Sequence, residues 1–145
     1  MSMNDPLSAA LSKILNYERI GRKRCSIKPG SILIRGVLKI MNENRYIGSF
    51  KEVANGKGNF LVVSLVGNIN RCGAIKPRFS CRVEDIVKYE KRFLLAKDFG
   101  ILIISTPKGL MTHEQAKKQN SGGRLIVLYV VEYPLLRNCG SVDVT

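Results

Sequence analysis

The run Ile101-Leu102-Ile103-Ile104 breaks off abruptly into Ser105-Thr106-Pro107-Lys108-Gly109, and a helix-start signal follows at once. The apolar residues, with Phe99 before them, predict a buried strand over residues 99–104. Pro and Gly then force a tight turn at the rim of the sheet to which that strand belongs. Such a turn presents the short hydrogen-bonding side chains of Ser105 and Thr106 on a stiff backbone. Pro107 limits the entropy lost on binding, Gly109 permits close backbone approach, and Lys108 supplies a cation. A surface of this kind suits a polar, anionic partner.

The charge balance points the same way. The 145 residues hold 24 Lys and Arg against 11 Asp and Glu, a net charge of +13. That surplus implies a polyanion, either nucleic acid or an acidic membrane surface. Residues 1–80 carry +10 (14 basic, 4 acidic) and residues 81–145 carry +3 (10 basic, 7 acidic). The first half is the broader electrostatic footprint, and the second holds the more specific loop. No run of about 18 apolar residues is present, so no membrane span is expected. Pro6 and charged residues stand where a signal peptide needs an apolar core. Cys25, Cys72, Cys81 and Cys139 form no close pair, and His113 is the one histidine. The cysteines read as reduced thiols of a cytosolic protein, with no metal and no cofactor expected.

Asp5-Pro6 caps a first helix carrying Leu7, Ala10, Leu11, Ile14 and Leu15 at helical spacing. A short strand at residues 25–27 follows. Pro29-Gly30-Ser31 is a turn and cap for a second helix, marked by Ile34, Val37, Leu38 and Met41 and ending near Asn44. Residues 46–53 and 60–66 predict two strands joined by Asn55-Gly56-Lys57-Gly58, whose Asn and Gly tolerate positive φ. Residues 74–83 predict a further extended segment and residues 84–93 a short helix. Thr112 and Gln115 fit a capping box for a last helix that ends before Gly122-Gly123. Residues 124–131 predict a closing strand. The fold class is α+β in two small domains. Residues 1–75 set two helices beside a small sheet. Residues 76–130 are β-rich with a short helix, and an extension of unassigned role covers 131–145.

Several groups could carry function. Arg19, Arg22, Lys23, Arg24 and Lys28 place five positive charges in ten residues with no acid among them, which favours a phosphate role. Lys76 and Arg78 flank Pro77 on the predicted extended segment and share a face with Ala74 and Ser80. There, a phosphate or protein contact and a plain exposed face fit equally. Gly122, Gly123 and Arg124 fall beside the 105–109 loop if the closing strand pairs with residues 99–104, and Lys117 and Lys118 add charge nearby. The helix after Thr112 offers free amides to an anion. The loop itself fits a tight strand-to-helix connection as well as it fits RNA contact. His113-Glu114 could support acid–base chemistry, and with Lys108 would make a phosphate-handling enzyme. The alternative is two solvent-facing residues in a first helical turn, and no cofactor motif or catalytic pair accompanies them. Tyr46, Tyr89, Phe93 and Phe99 read as packing residues.

Five segments occur in order over residues 3–130: Asn4-Asp5-Pro6-Leu7, Arg45-Tyr46-Ile47-Gly48, Asn70-Arg71-Cys72-Gly73-Ala74-Ile75-Lys76-Pro77-Arg78-Phe79, Asp98-Phe99-Gly100-Ile101-Leu102-Ile103 leading into Ser105 to Gly109, and Gly122-Gly123-Arg124. In this set the chain resembles the universal small-subunit ribosomal protein eight family, in its archaeal and eukaryotic form (fifteen-a in animals). The resemblance implies a structural ribosomal protein of the cytoplasm, without catalysis. It implies binding to the central domain of small-subunit ribosomal RNA, at an irregular helix with an internal loop, and support of assembly and translation. Implied partners are that RNA and neighbouring small-subunit proteins; several members also bind a look-alike site on their own messenger RNA. A monomer outside the ribosome and no membrane contact complete the expectation. RNA contact is thereby expected at Ser105, Thr106, Pro107, Lys108, Gly109, Gly122, Gly123 and Arg124, and also at Arg22, Lys23, Arg24, Lys28, Ser31, Lys76 and Arg78. Three departures stand out. Ile32 occupies a position where many relatives carry Lys, Pro107 one where bacterial members often carry Ser, and the family normally ends near Tyr129 or Val130.

Overall fold

The computed structural model describes residues 5–28, 30–76, 78–94 and 100–131. Asn4, Pro29, Pro77, Asp98, Phe99 and the extension from residue 132 onward lie outside the described residues.

Helix α1 (Pro6–Ile20) begins where the side chain of Asp5 accepts the amides of Leu7 and Ser8, at 3.2 and 3.5 Å. It ends at Gly21 and buries Leu7, Ala10, Leu11 and Ile14. Strand β1 (Arg24–Ile27) alternates, with Cys25 and Ile27 inward and Arg24 and Ser26 outward. Helix α2 (Ile32–Glu43) is capped by Ser31, which accepts the Ile34 amide at 3.2 Å. Strands β2 (Ile47–Asn55) and β3 (Gly58–Leu65) form the expected hairpin, with Asn55 opposite Gly58. The first sheet has the order β1-β3-β2, antiparallel throughout.

The second sheet takes β4 (Ile69–Ala74), β5 (Ser80–Cys81), β6 (Ile101–Thr106), β7 (Gly109–Thr112) and β8 (Gly123–Val131). Its order is β4-β8-β6-β7, with β5 also on β8. Helix α3 (Ile86–Phe93) precedes β6, and the short helix α4 (His113–Lys118) follows β7. No helix among the described residues is long and apolar enough to cross a membrane.

Two expectations are corrected. The extended segment placed at 74–83 lies earlier, at Ile69–Ala74, and only Ser80–Cys81 pairs beyond it. A proline has no amide to give a ladder, so a strand running through position 77 is disfavoured. Lys76 and Arg78 therefore sit in a connection and not on a strand. The second correction is β7: the 105–109 loop does not lead straight into a helix but turns a β-hairpin.

The second sheet is buried on both faces. Ile103, Ile126, Val127, Ile69 and Cys72 join the cluster formed by Leu7, Leu11, Ile14, Val37, Leu38 and Met41. Leu102, Ile104 and Leu125 pack the other way, against Ile86, Leu94, Met111 and Ala116. Two-sided burial explains why Leu102 to Ile104 of β6 and Leu125 to Val127 of β8 read as unbroken apolar runs. Each such side chain contributes roughly 1.5–3 kcal/mol by leaving water. This rigid sheet carries the β6–β7 turn at its rim.

Candidate nucleic-acid interface

The β6–β7 hairpin pairs Ser105 with Leu110 and Thr106 with Gly109, leaving Pro107 and Lys108 at the tip. Pro107, Lys108 and Gly109 are exposed and Ser105 is half-buried. Gly109 has φ of +122°, a conformation that a residue with a Cβ adopts only under strain. Thr106 differs from its sequence reading. It is 7% exposed, and its hydroxyl donates to the Gly109 carbonyl at 2.9 Å. The proton is committed inside the hairpin, so toward a ligand the oxygen can only accept.

Strand β8 lies alongside, with Arg124 opposite Ser105 and exposed. Gly123 packs on the Ser105 carbonyl so closely that a Cβ would overlap it. A Cβ at Gly122 would meet the Cys81 carbonyl at 2.8 Å. Both glycines thus serve close backbone packing between β5, β6 and β8, and Arg124 is left on the surface beside the turn. The expected pairing of the closing strand with the 99–104 segment is found, shifted to Ile101–Ser105.

The basic stretch forms a second element. Beyond Gly21 the chain turns so that Arg22, Lys23 and Arg24, all exposed, line an open groove of about 430 Å³ with Glu18 and Ser64 to Gly67. The Lys23 carbonyl accepts the Leu65 amide at 2.8 Å, and the Arg22 guanidinium lies 5.1 Å from the centre of the Tyr17 ring. Glu18 was missed as a sequence feature. Its carboxylate accepts the amides of Gly67 (3.2 Å) and Ile69 (3.0 Å), tying the groove's far wall to α1. The signal was present, since Glu18 is the one acid between residues 6 and 42 and stands just before a run of cations. Lys28 stands apart, 5.3 Å over the Phe60 ring on the outer face of the first sheet.

Ser31, Lys76 and Arg78 come together in a third element. With Asp5, Pro6, Leu7 and Leu33 they line an open groove of about 490 Å³ where the starts of α1 and α2 meet the β4–β5 connection. Lys76 is 2.8 Å from the Asp5 carboxylate. The Lys76 ammonium, above all, holds the Asp5 carboxyl below its ordinary range, against the opposing effect of burial. Ile32, beside this groove, is 81% exposed. An aliphatic side chain stands in water there and adds no charge.

The helix after Thr112 satisfies one of its first-turn amides itself. Its capping box is closed, with Gln115 reaching back to the Thr112 amide and Thr112 accepting the Gln115 amide, each at 3.4 Å. His113 is not solvent-facing but 1% exposed. Its Nδ1 accepts the Leu102 amide at 3.2 Å and its Nε2 lies 3.0 Å from Glu90, itself 2.6 Å from Lys117. Lys117 is therefore paired and not part of the basic surface. Burial pushes the imidazole below its usual 6.5, outweighing the opposite pull of Glu90 and Glu114. With both nitrogens engaged in the interior, His113 cannot reach a substrate, and the enzyme reading through Lys108, His113 and Glu114 falls. The thiols of Cys25, Cys72 and Cys81 are buried; burial pushes Cys72 up to about 12, which removes nucleophilic character.

The chain matches the family model for ribosomal protein S8 over residues 5–130. It is 49% identical over 126 residues to the small ribosomal subunit protein uS8 of Methanococcoides burtonii, an archaeal relative, with 87% of this chain and 97% of that protein covered. The chain belongs to the ribosomal protein S8 family in its archaeal and eukaryotic form, a structural protein of the small ribosomal subunit and not an enzyme.

Proposed function

We propose that this chain binds the central domain of small-subunit ribosomal RNA, at an irregular helix, and thereby supports subunit assembly and translation on the cytoplasmic ribosome. The carrying observation is the β6–β7 turn. Pro107, Lys108 and Gly109 stand out in water on a hairpin closed from within by Thr106 and backed by Gly123. RNA helices hide their base edges in a deep groove, so proteins read the shallow groove, the 2′-hydroxyls and irregular loops. A stiff, narrow turn with a cation at its tip and Ser105 and Arg124 beside it suits that task.

The residues divide by role. Ser105, Pro107, Lys108, Gly109 and Arg124 form the specific surface within residues 76–130, held in shape by Thr106, Gly122 and Gly123. Arg22, Lys23 and Arg24 in their groove, and Ser31 with Lys76 and Arg78 in the other, grip the phosphate backbone. Neighbouring small-subunit proteins complete the setting, and a look-alike site on the chain's own messenger RNA would use the same hairpin. The test is a filter-binding titration with a central-domain fragment. Lys108→Ala with Arg124→Ala removes two charge-assisted contacts, each about 1.5–3 kcal/mol. Affinity equal to the parent's for that fragment would reject the hairpin as the binding surface.

A further inference from the structure

The outer face of the β1–β3–β2 sheet has no layer packed on it among the described residues. Inward residues Cys25, Ile27, Leu61 and Val63 are buried, so their neighbours face out. Across the strands, Ser26 lies opposite Val62, Lys51 opposite Val62 from the other side, and Val53 opposite Phe60. Val53, Phe60 and Val62 thus form one apolar strip, and Val53 is 38% exposed. Arg24, Lys28 and Lys51 rim it. The nearby acid, Glu52, points to the opposite face, where it meets Arg35 (3.1 Å) and Asn59 (3.0 Å).

We propose that this face, from Lys28 and Phe60 across to Val53 and Lys51, docks an extended acidic segment of a neighbouring protein, laid across the sheet. One exposed valine would carry no such meaning, since folded surfaces hold many. Here three apolar residues adjoin, and every charge on that face among the described residues is positive. Acidic side chains of that segment meet Lys51 and Lys28, and aliphatic ones meet Val53 and Val62. RNA fits less well. Val53 and Val62 offer no stacking plane or hydrogen bond, and the Phe60 ring is already covered by Lys28. This goes beyond the RNA-binding reading and does not depend on it.

The test places a benzophenone amino acid at position 53 of the full chain, assembles it into small subunits in cells, and irradiates the purified subunits. The expected adduct is resistant to ribonuclease, and mass spectrometry maps it to a protein segment with more Asp and Glu than Lys and Arg. Combining Lys28→Glu with Lys51→Glu should abolish that adduct, whereas Lys39→Glu, an exposed cation on α2, should leave it intact. An adduct to RNA, an adduct to a segment without an acidic surplus, or no adduct in assembled subunits overturns the proposal. The adduct in the otherwise unaltered chain is decisive even if the double reversal blocks assembly. Loss of affinity for the ribosomal RNA fragment is read separately, by filter binding, so failure of one reading is not failure of the other.

Discussion

Gly123 lies directly against the backbone carbonyl of Ser105, leaving no room for a Cβ. This contact sets the β6 edge of the hairpin by steric fit with β8, where Ser105 faces Arg124 in register. Gly123→Ala must push the two strands apart, since the obstacle is backbone and cannot rotate away. Overpacking of this kind costs about 1–3 kcal/mol. The expected outcome is a lower unfolding free energy in urea and weaker binding to the central-domain fragment. Unchanged values of both would show that the strands close around a methyl group without moving.

Ser105 and Thr106 should separate in a mutational series. Thr106→Ala deletes the bond to the Gly109 carbonyl and so loosens the turn itself, at about 1 kcal/mol of stability. Ser105→Ala removes a half-buried hydroxyl and should leave stability within about 0.5 kcal/mol. RNA affinity should fall in both, by a few kcal/mol in the double variant if several buried hydrogen bonds are lost. Urea melts and filter binding on the same samples distinguish the two effects. A Thr106→Ala protein as stable as the parent would refute the internal role.

The groove cations should behave differently from the hairpin. Arg22→Ala with Lys23→Ala removes two exposed charges without touching the turn. Binding should weaken for every RNA by a similar factor, and the slope of log affinity against log salt should flatten by about 0.7–0.9 for each lost phosphate contact. The titration is repeated at several salt concentrations, with the specific fragment and with an unrelated duplex. A loss confined to the specific fragment would place Arg22 and Lys23 in sequence-reading contacts instead.

Local chemistry explains which elements could be read from the chain and which could not. Asp5, Ser31 and Thr112 announce three helix starts because a cap bonds residues two or three positions away. The Asn55-to-Gly58 hairpin is equally local. Strand β7 was not legible. Its four residues have too little pattern of their own and become a strand by pairing with β6, and Thr112 also belongs to the next cap. The ladder at Ile69–Ala74 is likewise set by its partner β8. The tight turn at Ser105 to Gly109 was legible from its Pro and Gly, but the inward turn of the Thr106 hydroxyl was not. Nor could sequence spacing show that Ser31 would share a groove with Lys76 and Arg78, because packing of α1 against both α2 and β4 brings them together.

His113 was misread for the same reason, since its partners Glu90 and Leu102 are distant in sequence, and its interior position carries a pH dependence. Nδ1 accepts the Leu102 amide, so the neutral ring holds its proton on Nε2, toward Glu90. A second proton would have to displace the Leu102 bond inside the core. Burial accordingly holds the folded-state pKa below 6.5. Between that depressed value and 6.5 the unfolded chain binds more protons than the folded one, so stability rises with pH there. His113 therefore contributes its full share above about pH 6.5, and that share is lost as pH falls through the folded pKa, with a slope of at most about 1.4 kcal/mol per pH unit for one proton. Asp5, whose carboxyl is held below its ordinary 3.8, adds its own acid loss beneath that value. Urea melts at pH 7.5, 6.0 and 5.0 should show the parent weakening as pH falls. His113→Gln, less stable throughout for want of the buried contacts, should lose most of that slope. A glutamine variant with the parent's full slope would assign the acid sensitivity to other groups.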